Sequence, residues 1–430
     1  MNIKRITING LFNTFNHEVH FNEGGIAIMI GENGLGKTTI LKIIDSIFND
    51  KELQYLFTID FESIVLSFKT YKWTIQKKEE NEFPVIKISS SKQNEGDYYV
   101  MKASKDNRDM LFRNRFLKKS GDGSWFDRRR GVTLTTEDVK KIYGFDPSYL
   151  EHIETPEWYE NAINKNHIHF IQTQRLYDFD STKELHGEEI VQTVKTFSNR
   201  LVKLIKDYNT KFALNTIYLE NTFPFRLIKE LSNNESVNDV LKDITDKIRV
   251  LNEYRSFLHE VGLVSKPQDD SLRKLFDALN NSPQAISIIK LYIDDSYSKL
   301  EIFNDLAQKL STLLKIINNR FKHKTLSIDK DNGLVVKSKF TGNPIPVEKL
   351  SSGEQNEIVM FYSLLFNTDN KDIVLIDEPE ISLHLKWQQR LIEDFQSICN
   401  SNHLSLLLAT HSPDIIGSNW DLVQELNGKE

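Results

Sequence analysis

Gly31-Glu-Asn-Gly-Leu-Gly-Lys-Thr38 is a GxxxxGK[ST] run, and residues of these types in this order suit the wrapping of backbone around a polyphosphate. Glycines let consecutive N–H groups curl toward anionic oxygens, and a helix N-terminus adds its positive end. A lysine then reaches the outer phosphates and a hydroxyl can ligate Mg²⁺. The expected nucleotide contacts are Gly31, Asn33, Gly34, Gly36, Lys37, Thr38 and Thr39, with Thr38 also a metal ligand.

A second cluster sits far along the chain. Ile373-Val-Leu-Ile-Asp-Glu378 is an apolar run closed by two carboxylates, the pattern of a buried parallel strand that delivers acids to its carboxyl end. Asp377 could hold Mg²⁺ through water, and Glu378 could orient and deprotonate an attacking water. Residues 405–409 read as another buried strand that ends in Thr410-His411, where an imidazole could sense a γ-phosphate. Residues 167–175 form an apolar strand that ends abruptly in polar groups. Gln174 then stands at a strand end, where its amide could meet Mg²⁺ or the attacking water. Leu350-Ser-Ser-Gly-Glu-Gln-Asn356 precedes a helix-like run over 357–365. It is a second anion site at a helix start or, alone, a simple cap.

These groups need a frame. Residues 26–30 read as the strand before the glycine loop and 39–48 as the helix after it, while 3–9 and 17–21 read as two short strands with Phe12 and Phe15 in the turn between. Residues 63–69, 72–77, 85–89 and 98–101 alternate as an antiparallel meander. From 184 to 320 the pattern is helical, with Ile190, Val194, Phe197, Leu201, Leu204 and Tyr208 stepping by four and three, then Val237 to Leu251 and Phe303 to Ile317 likewise. Each seam lasts about three heptads, and a helix of ~26 residues reaches only ~40 Å. A short arm is therefore expected rather than a long rod, with its break between 262 and 270 around Pro267. Asp331-Asn-Gly333 is a hairpin turn signal between two further strands.

The 430 residues, 39% of them apolar, suffice for two or three compact units. Lysine and arginine total 55 against 61 acids, a net charge of −6, so no whole-protein basic field points to nucleic acid. Locally, Arg113, Arg115, Lys118, Lys119, Arg128, Arg129 and Arg130 surround Gly121, Gly123 and Trp125-Phe126. Such a loop could grip a phosphate backbone, or be a solvated loop partly balanced by Asp122 and Asp127. Cys399 is the single cysteine, which excludes an intramolecular disulfide, suits a reducing cytosol and reads as a small buried hydrophobe. With no export signal and no apolar run of ~18 residues, a cytoplasmic protein is expected.

The order GENGLGKT, Gln174, LSSGEQ, VLIDEPE, ISLHL and LATHS resembles the ABC-type ATPases, in the branch of SMC, RecF and related repair or defence proteins. That resemblance implies an α/β head, built from a phosphate-loop core sheet and an antiparallel β lobe, with an inserted short helical or coiled-coil arm. The lobes would span 1–183 and 321–430, and the arm 184–320. It implies ATP and Mg²⁺, hydrolysis of ATP to ADP and phosphate, and Walker A and Walker B roles for the two clusters above. Glu378, His411 and Lys37 would be catalytic, and Thr38, Gln174 and Asp377 would face the metal, with Gln174 the lid glutamine and Gln172 its register alternative. Ser351 and Gly353 would contact the γ-phosphate bound to the other subunit, so that two heads of a homodimer or higher homo-oligomer sandwich two nucleotides. Ser382 to His384 would lie in the loop crossing that interface. The signature departs from LSGGQ at Ser352 and Glu354.

The chain also looks similar to ATPase subunits of bacterial anti-phage systems, first the PARIS type and next the Septu type. That implies a scaffold that senses a phage trigger protein and holds a separate nuclease, TOPRIM-type or, second, HNH-type. The residues after His411 are too few for a fused nuclease, so the effector is expected on another chain. The competing implication is a RecF-like repair ATPase that binds DNA directly. A soluble transporter ATPase is disfavoured by the insertion.

Overall fold

The computed structural model describes residues 3–49, 53–80, 83–93, 98–102, 117–119, 125–127, 132–135, 137–138, 156–180, 189–231, 237–265 and 283–426. The chain divides into two compact units, Met1–Val191 with Val359–Glu430, and Gln192–Ile358.

The first unit is built on a five-stranded parallel sheet in the order Ile168–Ile171, Ile373–Asp377, Ser405–Ala409, Ile26–Ile30, Val423–Glu425. The strands Ile373–Asp377 and Ser405–Ala409 are buried throughout, as expected of near-continuous apolar runs covered on both faces. Register aligns their carboxyl ends: Asp377 lies opposite Ala409, and Ala409 opposite Met29. The chain segments following these strands therefore emerge at one edge of the sheet.

A six-stranded antiparallel sheet flanks it in the order Phe15–His20, Ile3–Leu11, Ser63–Phe68, Lys72–Glu80, Phe83–Ser90, Tyr98–Lys102; its last four strands are the meander the alternation predicted. Between the sheets runs the helix Lys37–Asn49, whose Ile40, Ile43, Ile44 and Ile47 share one core with Ile6, Ile8, Ile64, Leu375 and Leu407. Trp73 anchors this core, stacked on Phe48 and Tyr159.

Of the basic cluster, Arg113, Arg115, Arg128, Arg129 and Arg130 lie outside the described residues. Lys118 and Lys119 belong to the strand Leu117–Lys119, paired antiparallel to Trp125–Asp127. Trp125 is only 2% exposed, so its ring is committed to packing and is not a free platform for stacking a base.

The second unit contains the helices Thr193–Leu231, Val237–Glu260, Pro283–Glu301 and Asn304–Arg320, followed by the strands Lys324–Asp329, Gly333–Ser338 and Pro344–Ile345. The inserted segment is helical as expected, but its first helix is longer than the ~26 residues expected of one seam. It has 39 residues, about 58 Å at 1.5 Å per residue. The periodicity fades after Tyr208 because Leu214, Ile217, Tyr218 and Phe225 are exposed, and Pro224 reads as a stop. The helix nevertheless runs through Pro224. Arg226 supplies extra donors there: its guanidinium donates to Leu219 O at 2.7 Å and to Thr222 Oγ1 at 3.1 Å, and it pairs with Asp295 of the helix Pro283–Glu301.

The expected hairpin forms around Gly333, at φ +70°, where a Cβ would lie 2.4 Å from Ser198 O. The helix expected from 357 begins earlier, at Ser352. Among the described residues no helix is long and apolar enough to cross a membrane.

Candidate active site

The glycine loop joins the strand Ile26–Ile30 to the helix Lys37–Asn49. Gly36 takes φ +89°, and a Cβ there would lie 2.8 Å from Leu11 Cδ2 and 3.3 Å from Phe12 Cε2. A side chain at this position is excluded both by conformation and by space. Gly36→Val is therefore expected to open the loop and weaken nucleotide binding by at least about tenfold, with a lowered Tm, read by fluorescent-nucleotide titration and thermal unfolding. The loop is braced from below by His17, a residue the sequence did not single out. Its Nε2 lies 2.8 Å from Leu35 O, and burial lowers its pKa, so the neutral ring donates that hydrogen bond.

Lys37 is 6% exposed. Its Nζ donates to Gly31 O at 2.7 Å and Glu32 O at 3.0 Å, folding back over the loop. Burial lowers its pKa, and Glu378, Asp377 and Glu380 oppose that shift through space. At the neighbouring position, Thr38 Oγ1 lies 3.0 Å from both carboxylate oxygens of Asp377. Thr173 Oγ1 also donates to Asp377 Oδ2, at 2.6 Å. One buried carboxylate thus gathers two hydroxyls, one from the first turn of the helix Lys37–Asn49 and one from the loop after Ile171.

Gln174 and its alternative Gln172 are both exposed. The side chain from this loop that bonds Asp377 is that of Thr173 between them, not either glutamine. Glu378 follows with φ +45°, a left-handed conformation that strains a residue with a Cβ. Its N–H donates to Ala409 O at 2.9 Å, and its Oε1 lies 3.9 Å from His411 Nε2. Glu380 holds the next turn, its Oε1 accepting from Thr410 Oγ1 at 2.7 Å and from His411 N at 2.9 Å.

Beneath these groups lies Arg175, which burial pushes down to about 10, while Glu380, Asp377 and Glu378 pull it back up. Thr173, Arg175 and Glu380, which the structure brings to this cluster, were not singled out from the sequence. Their signal was present in the polar run after the strand and in the third acid of Asp377-Glu-Pro-Glu380, but polar residues after a strand usually read as surface.

In the second unit, Ser351 is exposed and caps the helix Ser352–Phe366. Glu354 N donates to Ser351 Oγ at 3.3 Å, and Ser351 N and Oγ each donate to Glu354 Oε2 at 2.9 Å. This is a capping box, which explains the early helix start and gives the unusual Glu354 a task. Lys324 Nζ donates to both Glu354 carboxylate oxygens, at 2.8 and 2.7 Å. Burial opposes the charge on Glu354, and Lys324 and Ser351 outweigh it, holding the carboxyl below its usual range. Gly353 is buried in the first turn. In the first unit, Ser382 and His384 are exposed, with Ser382 at φ +62°, whereas Leu383 between them is buried. Cys399 is buried, and burial pushes its thiol up to about 12.

The donor set fits a Mg²⁺-nucleotide. Space is open at the Cβ position of Gly34, a lysine stands over the loop carbonyls, and a hydroxyl and a carboxylate lie side by side. Such a sparse protein set suits Mg²⁺, which keeps water and phosphate oxygens as its remaining ligands.

The family profile described as AAA ATPase domain matches residues 1–416. Among solved structures the chain is similar to the Smc head domain with an extended coiled coil, bound to the C-terminal domain of ScpA, from Pyrococcus furiosus. The identity there is 10% over 100% of this chain and 94% of that chain, with a TM-score of 0.37. It is also similar to the SMC head domain from Thermotoga maritima, at 12% identity over 99% and 94% of the two chains and a TM-score of 0.33. The profile match runs from before the glycine loop to beyond His411, so it takes in every part of the nucleotide site, and the chain belongs to the AAA ATPase domain family and is an ATPase.

Proposed function

We propose that this ATPase is of the ABC type, in the SMC and RecF-like branch, that ATP joins two copies head to head, and that this engagement controls a separate nuclease in an anti-phage defence complex. The observation that supports the ATP-hydrolysing part of the reading is the convergence of Thr38, Thr173 and Asp377 beside Lys37, Glu378 and His411 at one sheet edge.

On binding, Lys37 exchanges the carbonyls of Gly31 and Glu32 for β- and γ-phosphate oxygens. Thr38 and Asp377 would hold Mg²⁺, with Gln174 or Gln172 approaching from the lid loop, and the ion would supply positive charge against that developing on the phosphates. Glu378 orients water and takes its proton, and His411 lies close enough to Glu378 Oε1 to steady the proton acceptor. Ser351, exposed at its helix start, gives up Glu354 Oε2 to donate to the γ-phosphate held by the other copy, with Gly353 allowing close approach. Ser382 to His384 line the same interface. ATP is then a two-sided linker, and loss of the γ-phosphate releases it.

The test combines association with partnership. Light scattering of Glu378→Gln is expected to show an assembly formed only with ATP and Mg²⁺, lost on adding Ser351→Arg, and the wild type is expected to co-purify with a TOPRIM-type or HNH-type nuclease encoded beside it. A monomer under all conditions overturns head engagement. ATP-dependent, salt-sensitive DNA binding that is lost when Arg128, Arg129 and Arg130 become alanine, with no nuclease retained, favours the RecF-like repair role instead.

A further inference from the structure

Arg175 is 6% exposed, and a guanidinium that deep ordinarily faces a carboxylate. Here it faces backbone. Nη1 donates to Gln172 O and Asp377 O, both at 3.3 Å, and Nη2 to Glu378 O at 3.4 Å and Pro379 O at 3.3 Å. Its Nε is buried with no acceptor, and among the described residues no carboxylate lies within ion-pair distance of it. The three acids nearby act on it only through space.

Three of those carbonyls are consecutive and belong to the turn that carries Glu378. The fourth belongs to the loop that carries Thr173 and the two candidate lid glutamines. Glu378 itself sits at φ +45°, a conformation that persists only where the surroundings over-determine it. A planar fork of donors over three successive carbonyls does so, and no other side chain offers that geometry.

We infer that Arg175 is a positioning residue for hydrolysis: it clamps the Asp377-Glu378-Pro379 turn so that the Glu378 carboxylate is aimed, and it ties that aim to the seating of the lid loop. The inference rests on the reading of Glu378 as the proton acceptor. Nucleotide capture is separate, because Lys37 and the glycine loop make no bond to Arg175.

The experiment uses Arg175→Lys, which keeps the charge and loses the fork, beside Arg175→Met. Fluorescent-nucleotide titration is expected to give an ATP affinity within about threefold of wild type, whereas single-turnover hydrolysis falls about 10²-fold, the cost of misplacing a reacting group by ~1 Å. Glu378→Gln combined with Arg175→Lys is expected to be no slower than Glu378→Gln alone, because a clamp is worthless without the group it aims. Wild-type hydrolysis by Arg175→Lys overturns the inference, as does multiplication of the two effects in the double variant. Parallel loss of affinity and rate also overturns it, since that is the signature of general structural damage. Should Arg175→Met not fold, the lysine variant carries every arm. Wild-type turnover by Glu378→Gln would defeat the proton-acceptor reading instead, and the two failures are told apart by which single variant stays active.

Discussion

Glu378→Gln is expected to bind ATP as wild type does, to hydrolyse it about 10³-fold more slowly, and to accumulate as an ATP-bound assembly. The amide keeps the volume and hydrogen-bonding reach of the carboxylate, so water is still held, but it cannot accept the proton. The backbone of Glu378 is fixed by its N–H bond to Ala409 O and by Arg175 on its carbonyl, so the change should not spread to the glycine loop. Steady-state kcat, nucleotide titration and light scattering read the three parts of the outcome. Turnover close to wild type removes Glu378 from the chemistry.

Lys37→Ala is expected to have the opposite profile. Affinity for ATP falls by about 10²-fold or more, because one buried cation serves two phosphates and each charge-assisted bond is worth ~1.5–3 kcal/mol. The free-state bonds from Nζ to Gly31 O and Glu32 O are also lost, but Lys37 gives these up on binding, so their absence adds nothing to the deficit in affinity. Isothermal titration or a fluorescent analogue measures the effect, and unchanged binding contradicts the assignment of the loop.

The glycine loop, the two flanking elements and the acid-tipped strand were legible because each is local: composition over a few residues sets both conformation and chemistry. The lid was legible only in part. Past Ile171 the alternation of the strand ends, and nothing in the order Gln172-Thr-Gln-Arg175 shows that Thr173 turns toward Asp377 while its neighbours face solvent. Arg175 resembles a surface charge until the fold buries it, and Glu380 until the fold half-buries it against Thr410 and His411. The helix start at Ser352 was hidden because Ser-Gly is poor helix-forming sequence, and the side chain of Glu354 reaches back to make up for it. The length of Thr193–Leu231 was hidden because Pro224 reads as a stop, yet the helix runs through it.

The strand Ile26–Ile30, which launches the glycine loop, is bordered by Ser405–Ala409 on one side and Val423–Glu425 on the other. During synthesis this strand is made before either neighbour and waits for both while nearly 400 further residues are translated, roughly 20–80 s at ~5–20 residues per second. A nascent chain halted within the second unit has a glycine loop but no sheet to set it in. Commitment to nucleotide is thereby deferred until translation has passed the last strand, and until then both edges of Ile26–Ile30 lack their sheet neighbours.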